Sequence, residues 1–228
     1  MNRRELLSAA VVSPLFLGAL PDAGVATPQG TSRTVRPLPF DAAKLKGLSE
    51  KLITSHHDNN YAGAVKSLGK VEEELARLKP DAFPPMVSGL RERALQFLNS
   101  MNLHEWYFAN LGGDGKQSGA LLKALPSNWE AEFRATAMSL AGGSGWVTLS
   151  LHTVTGELLT AWSGNHTQSP AGTLPLLVLD MYEHAYALDY GAAAAKYVDA
   201  FFANVRWDEV ERRYERAQAA FKALNSLK

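Results

Sequence analysis

Leu174-Pro175-Leu176-Leu177-Val178-Leu179-Asp180-Met181-Tyr182-Glu183-His184-Ala185-Tyr186 is an apolar run that ends on a carboxylate and changes texture at once. Leu174 to Leu179 reads as a buried strand, because the run is short and aliphatic. Tyr182 to Tyr190 reads as the start of a helix. Upstream, Trp146-Val147-Thr148-Leu149-Ser150-Leu151 and Leu158-Leu159-Thr160-Ala161-Trp162 are also strand-like and are linked through Thr155-Gly156. Together these give a small, mainly antiparallel sheet. Its surroundings are helical in period. Apolar positions recur at three and four from Ser49 to about Leu78, and Pro80, Pro84 and Pro85 end that stretch. A second helical stretch from about Met86 to Asn110 stops at Gly112-Gly113-Asp114-Gly115, so the pair forms a hairpin. Further helices are expected over 129–141, 192–205 and 207–227. The fold class is therefore α+β: an N-terminal helical hairpin over 38–123, then a C-terminal domain over 124–228 whose small antiparallel sheet is flanked by helices.

Asp180 is the residue in this stretch that needs explaining. A carboxylate behind four aliphatic residues is costly to bury unless a cation or several hydrogen bonds satisfy it. His184 follows four residues later, so a helical turn, or a strand end leading into one, brings both side chains to one point. The pair alone leaves a cap, an ion pair and a metal ligand as readings. The chain has no cysteine, which removes disulfides, thiolate ligands, iron–sulfur clusters and thiol nucleophiles together. Any metal must use nitrogen and oxygen, and six histidines are available, at 56, 57, 104, 152, 166 and 184. Lys+Arg and Asp+Glu are equal at 23 each, so no bulk field attracts nucleic acid or an acidic membrane. Gly112 to Gly115 has neither phosphate-loop spacing nor a following Lys-Ser/Thr pair.

Asp180-Met181-Tyr182-Glu183-His184-Ala185-Tyr186 resembles the Asp-x-Trp-Glu-His-Ala-Tyr signature of the iron/manganese superoxide dismutases, with Tyr182 in place of the usual tryptophan. Gly143-Ser144-Gly145-Trp146 is similar to the family's Gly-Ser-Gly-Trp, Leu38-Pro39-Phe40 to its opening, and Asn102-x-His104 to its second helix. The likeness covers roughly 37–216. It implies four ligands, His56, His104, Asp180 and His184, holding one Fe or Mn ion per subunit, with superoxide as substrate. His57 is then a neighbour of the site. The resemblance also implies a glutamine or histidine that bonds the solvent on the metal, for which His166 comes first and Gln168 second. It implies a homodimer through the Glu183–His184 region, and places Glu183 and Tyr186 among the site residues. Three departures stand out. The family's active-site tyrosine falls on Ala64, so Tyr61 is the candidate to supply a phenol from another position. Its subunit-linking histidine falls on Asn60. Its superoxide-attracting arginine falls in Gly191-Ala192-Ala193-Ala194-Ala195-Lys196. Since these touch capture and proton delivery rather than ligation, the alternative function is a metal-binding protein on the same fold with little turnover.

The N-terminus reads as a targeting segment. Arg3-Arg4 precedes Leu6-Leu7 and the apolar run to Leu20, and small residues end at Ala26. The arginine pair resembles a twin-arginine signal, which implies export and a periplasmic or extracellular protein after cleavage near Ala26. Pro14 interrupts the run, so no stable membrane anchor is expected. Residues 27–37 read as a polar lead-in. His152 reads as a surface or hydrogen-bonded residue, Trp129, Trp162 and Trp207 as core or interface, and Arg212-Arg213 as a solvated helix face.

Overall fold

A computed structural model describes residues 33–226; the expected signal, 1–26, and most of the lead-in lie outside them. The first helical stretch is three pieces in one rod: α1 (Glu50–Ser55), a π-helical segment (His56–Tyr61) and α2 (Ala62–Ala76). Ser49 caps α1 by accepting from the Leu52 amide at 3.0 Å. In the π segment the Ala62 amide reaches back to the His57 carbonyl, one residue further than an α-helix allows. Such a bulge rotates everything beyond it. His56, His57 and Tyr61 are buried as a result, together with Ala64, Val65 and Leu68 beyond it.

α3 (Pro84–Ala109) starts at Pro84, whose missing N–H costs nothing in a first helical turn. It packs antiparallel to α2 as the hairpin partner. Two short helices follow, α4 (Ala120–Ala124) and α5 (Trp129–Met138). Then come β1 (Trp146–His152), β2 (Leu158–Ser163) and β3 (Thr173–Asp180), paired antiparallel in the order β2-β1-β3. Trp146 faces Ser163 on one side and Asp180 on the other, so the first residue of the central strand is level with the last residue of β3. Gly145, just before it, has φ 143°, and a Cβ there would meet the Ser163 carbonyl at 2.3 Å, so only glycine fits. Pro175 sits on the edge strand β3, beside the bulge opposite Leu149/Ser150, where no ladder donor is missed.

The stretch after Asp180 is less helical than its residues suggest. A 3-10 turn (Glu183–Ala185) and a four-residue helix α6 (Ala187–Tyr190) replace the expected single helix. Tyr186, at φ −147°, breaks it, and its buried hydroxyl accepts from the Gly142 amide at 3.1 Å. α7 (Ala194–Ala203) and α8 (Trp207–Asn225) close the chain. α5 lies on β1 and β2, while α3 and α8 lie on β3. Among the described residues no helix is long and apolar enough to cross a membrane.

One reading of the sequence is corrected here. Arg213 does not face solvent: its side chain is 11% exposed, pairs with Glu209, and donates to Asn110 Oδ1 and to the carbonyls of Leu176 and Trp106. Of the three tryptophans expected in the core or at an interface, Trp129 and Trp207 are buried, and Trp162 stands outside the core on edge strand β2 at 51% exposure.

Candidate metal centre

His56 comes from the π segment, His104 from the last turns of α3, Asp180 from the end of β3 and His184 from the 3-10 turn beyond it. Their ligand atoms all lie within 4.8 Å of one another. The three imidazole Nε2 atoms converge on a single oxygen, Asp180 Oδ2, at 3.1 Å from His56, 3.5 Å from His104 and 3.3 Å from His184. Three nitrogens around one carboxylate oxygen exceed what its lone pairs accept.

The hydrogen-bond partners decide what the cluster wants. His104 Nδ1–H donates to the Ser100 carbonyl at 2.7 Å, one turn back on α3, so its proton is on Nδ1 and its Nε2 is a bare lone pair. That lone pair faces a carboxylate oxygen, acceptor against acceptor, in a site with almost no solvent exposure. Among the described residues, buried Nε2 of His104, Nε2 of His184 and Nδ1 of His56 have no hydrogen-bond partner. A cation between the three Nε2 atoms and Oδ2 relieves the crowding and gives the bare Nε2 of His104 and of His184 a partner, and three imidazoles with one carboxylate suit Fe or Mn.

Protonation agrees. Burial pushes His104 down to about 3, helped by the neighbouring His56, and burial likewise lowers His56. Both are neutral imidazoles at ordinary pH, the form that ligates. Burial alone would raise Asp180, but the neighbouring imidazoles of His184 and His56 outweigh it and hold the carboxyl below the usual range. Asp180 is held in place on its other atoms: Oδ1 accepts from the Tyr182 amide at 2.8 Å, and its carbonyl accepts from the Tyr197 hydroxyl at 2.7 Å.

Around the four lie aromatic rings. Trp146 packs edge-on against His104 at 5.0 Å between centroids, and Phe108 lies against His56 at 5.1 Å. His166 is half-buried, and its Nδ1 accepts from Trp146 Nε1–H at 2.9 Å. Its ring centroid is 6.3 Å from that of His104, and burial lowers its basicity. Gln168 is turned away. Its side-chain carbonyl accepts from the Gly164 amide at 2.8 Å and shapes the loop after β2.

The other candidates fall as follows. Tyr61 is buried, but its hydroxyl donates to Glu105 at 3.0 Å and accepts from the Arg36 amide at 3.0 Å, while Arg36 pairs with Glu105 at 3.0 Å. Arg33 pairs with Glu72 at 3.0 Å. Residues 33–36 of the lead-in are thus strapped onto α2 and α3. A cavity of about 210 Å³ between strap and helices is lined by Arg36, His57, Tyr61, Glu105 and Phe108, and by none of the four converging residues. His57 bonds the Arg36 carbonyl and Asp58 and stays out of the cluster. Ala64 is buried, Asn60 half-buried and Lys196 exposed. Glu183 is exposed beside His184, whose side chain is 27% exposed. His152, at the end of β1, bonds Thr155 at 3.0 Å.

Sequence reasoning missed Ser100, Tyr197 and Asn99, which donates to the His166 carbonyl at 2.6 Å. Ser100 was findable, standing one helical turn before His104. The other two act across the fold and leave no local signal.

Residues 125–213 match the profile of the C-terminal domain of iron/manganese superoxide dismutases. The chain is 46% identical over 190 residues to "Superoxide dismutase [Fe]" of Cupriavidus metallidurans, covering 80% of this chain and 96% of that protein. It is 33% identical over 198 residues to "Superoxide dismutase [Fe]" of Aquifex pyrophilus, covering 80% and 92%. "Superoxide dismutase [Mn] 1" of Halobacterium salinarum is 33% identical over 197 residues, covering 82% and 96%.

Proposed function

The chain belongs to the iron/manganese superoxide dismutase family and is an oxidoreductase using one Fe or Mn ion per subunit, and we propose that His56, His104, Asp180 and His184 hold that ion. The observation that carries the assignment is the bare Nε2 of His104 set against Asp180 Oδ2, beside the likewise unpartnered Nε2 of His184. Bound there, the ion would supply a one-electron couple, taking an electron from one superoxide to release oxygen and giving it to another, which with two protons leaves as hydrogen peroxide.

The chain's own residues do the rest. Asp180 contributes the negative charge that favours a higher oxidation state, and the neutral imidazoles leave the site net positive toward an anion. Because Trp146 has only a donor to offer, His166 must accept at Nδ1 and carry its proton on Nε2. It is the residue we assign to bond the solvent at the metal and to tune its acidity. Gln168, engaged within its loop, is the weaker candidate. Ala64 and Asn60 leave the approach without the family's tyrosine and histidine, and Lys196 is the cation nearest in sequence to the missing arginine. Tyr61 serves as the anchor of the lead-in strap, and Tyr186 as a support that shapes the turn after His184.

Two assignments concern the protein beyond its own site. Glu183, exposed beside a partly exposed His184, is the contact we propose for a second copy, giving a homodimer that covers the ligand. The arginine pair and apolar run at the N-terminus support export by the twin-arginine route to the periplasm or beyond.

The test is superoxide removal by residues 27–228, measured with Fe and Mn content, against His184→Ala. Removal that follows metal occupancy and disappears in the variant supports the assignment. Full metal occupancy in His184→Ala would refute it.

A further inference from the structure

His166 lies in the loop between β2 and β3, a short connection otherwise held by its own turns: Asn165 accepts from Thr167, and Gln168 from Gly164. A loop ring of this kind has little to define its plane. Yet His166 is constrained from three elements. Asn99 of α3 holds its carbonyl, Trp146 of β1 holds its Nδ1, and Tyr182 lies flat against it, with centroids 4.7 Å apart and planes within 12°. The Tyr182 ring also stacks on His184, at 5.3 Å and 20°. Tyr182 is thus stacked on both the outer histidine and the ligand His184, while Trp146 makes the separate link from His166 to His104.

We propose that Tyr182 is a positioning residue that sets the plane of His166 relative to His184, and that the two operate as a coupled pair. The inference rests on the assignment of His166 to the solvent at the metal. Both positions have alternatives within the family pattern described above: tryptophan is usual at 182, and glutamine also occurs at 166. A single six-membered ring fills the space between two imidazoles, and offset stacking gives that arrangement a defined geometry. An indole adds a second fused ring in the plane of the stack, so its six-membered ring can no longer face both imidazoles, now at 4.7 and 5.3 Å, with the same offset. A carboxamide at 166 in turn gives Tyr182 no ring to face, and the hydrogen bond from Trp146 Nε1 then needs a new acceptor. Each substitution alone disturbs the position of the group facing the metal.

The experiment is a double-mutant cycle on the metal-loaded protein, residues 27–228, reading the reduction potential of the site by spectroelectrochemical titration. Tyr182→Trp and His166→Gln are each expected to change the reduced-to-oxidised ratio at fixed potential by about tenfold, about 59 mV for a one-electron couple. The double variant is expected to lie closer to the parent than the two shifts summed. Tyr182→Phe, which keeps the ring and drops the hydroxyl, is expected to stay within about twofold of the parent. Additive shifts would overturn the coupling while leaving the role of His166 intact. No shift in His166→Gln would overturn that role and the coupling with it. A Tyr182→Phe change as large as that of Tyr182→Trp would show that the hydroxyl, not the stacked ring, acts, and would also sink the proposal.

Discussion

The Arg213 guanidinium donates to the carboxamide oxygen of Asn110 at 2.8 Å, and Asn110 passes the constraint on by donating to the Val178 carbonyl at 2.8 Å. Val178 stands two residues before Asp180, so a cation on α8 steadies the strand that delivers the carboxylate. Replacing Arg213 by Met keeps the bulk, leaves Glu209 with Arg212 alone and leaves Asn110 Oδ1 without its donor. The expected cost is about 3–5 kcal/mol, as for one half of a buried pair removed. Chemical denaturation of both proteins checks it; a loss under about 1 kcal/mol would contradict the account.

Glu209 yields a pH dependence. Burial would raise its pKa, but the hydrogen bonds and charge of Arg212 and Arg213 prevail and lower it below the ordinary 4.5. A carboxyl depressed in the folded state stabilises above its unfolded pKa and loses that contribution as pH falls. The parent should therefore lose stability from about pH 4.5 downward, and Glu209→Gln should show a shallower decline over the same window while being less stable at neutral pH. Parallel curves would count against it.

His104→Ala removes the nitrogen whose orientation Ser100 sets at 2.7 Å. Metal content should fall from about one ion per chain to near zero, because the remaining nitrogens no longer enclose the ion. Circular dichroism should be unchanged, since the lost ring lies at a site rather than in a helix cap. Retained stoichiometric metal would be the adverse result.

Glu183→Ala should weaken self-association by at least about tenfold, read by sedimentation at several concentrations. Its carboxylate is exposed on the single chain, so the fold itself should be indifferent. A dimer of unchanged affinity would remove Glu183 from the interface.

Tyr61→Phe deletes two hydrogen bonds that hold the strap, one to Glu105 and one from the Arg36 amide. Stability should drop by about 1 kcal/mol, and trypsin should cut after Arg33 faster than in the parent. Equal cleavage rates would mean that the ion pairs alone hold the segment.

Much of this arrangement was legible in the residues because it is local. The strands at Trp146, Leu158 and Thr173 announce themselves by aliphatic runs, and Asp180 by its misplaced charge. The π segment was invisible because one extra residue hides inside a periodicity that tolerates threes and fours. The break at Tyr186 was missed because its cause is a hydroxyl bonded to Gly142, 44 residues away. Arg213 looked like part of a charged face, because adjacent arginines on a helix point in different directions and only one meets Glu209 and Asn110 from the inside. Tyr61 illustrates the same limit: its residue type suggested chemistry, and its partners, Glu105 and Arg36, belong to a tether.

His56 and Asp180 are 124 residues apart in the chain and 3.1 Å apart in space. Each brings in a separate part of the fold, so an unfolded or half-made chain offers an ion at most a fragment of the cluster. Capture thus follows closure of the whole polypeptide, and the buried position then makes exchange slow. Whichever surroundings the chain folds in, with their own ratio of iron to manganese, therefore decide which ion it carries.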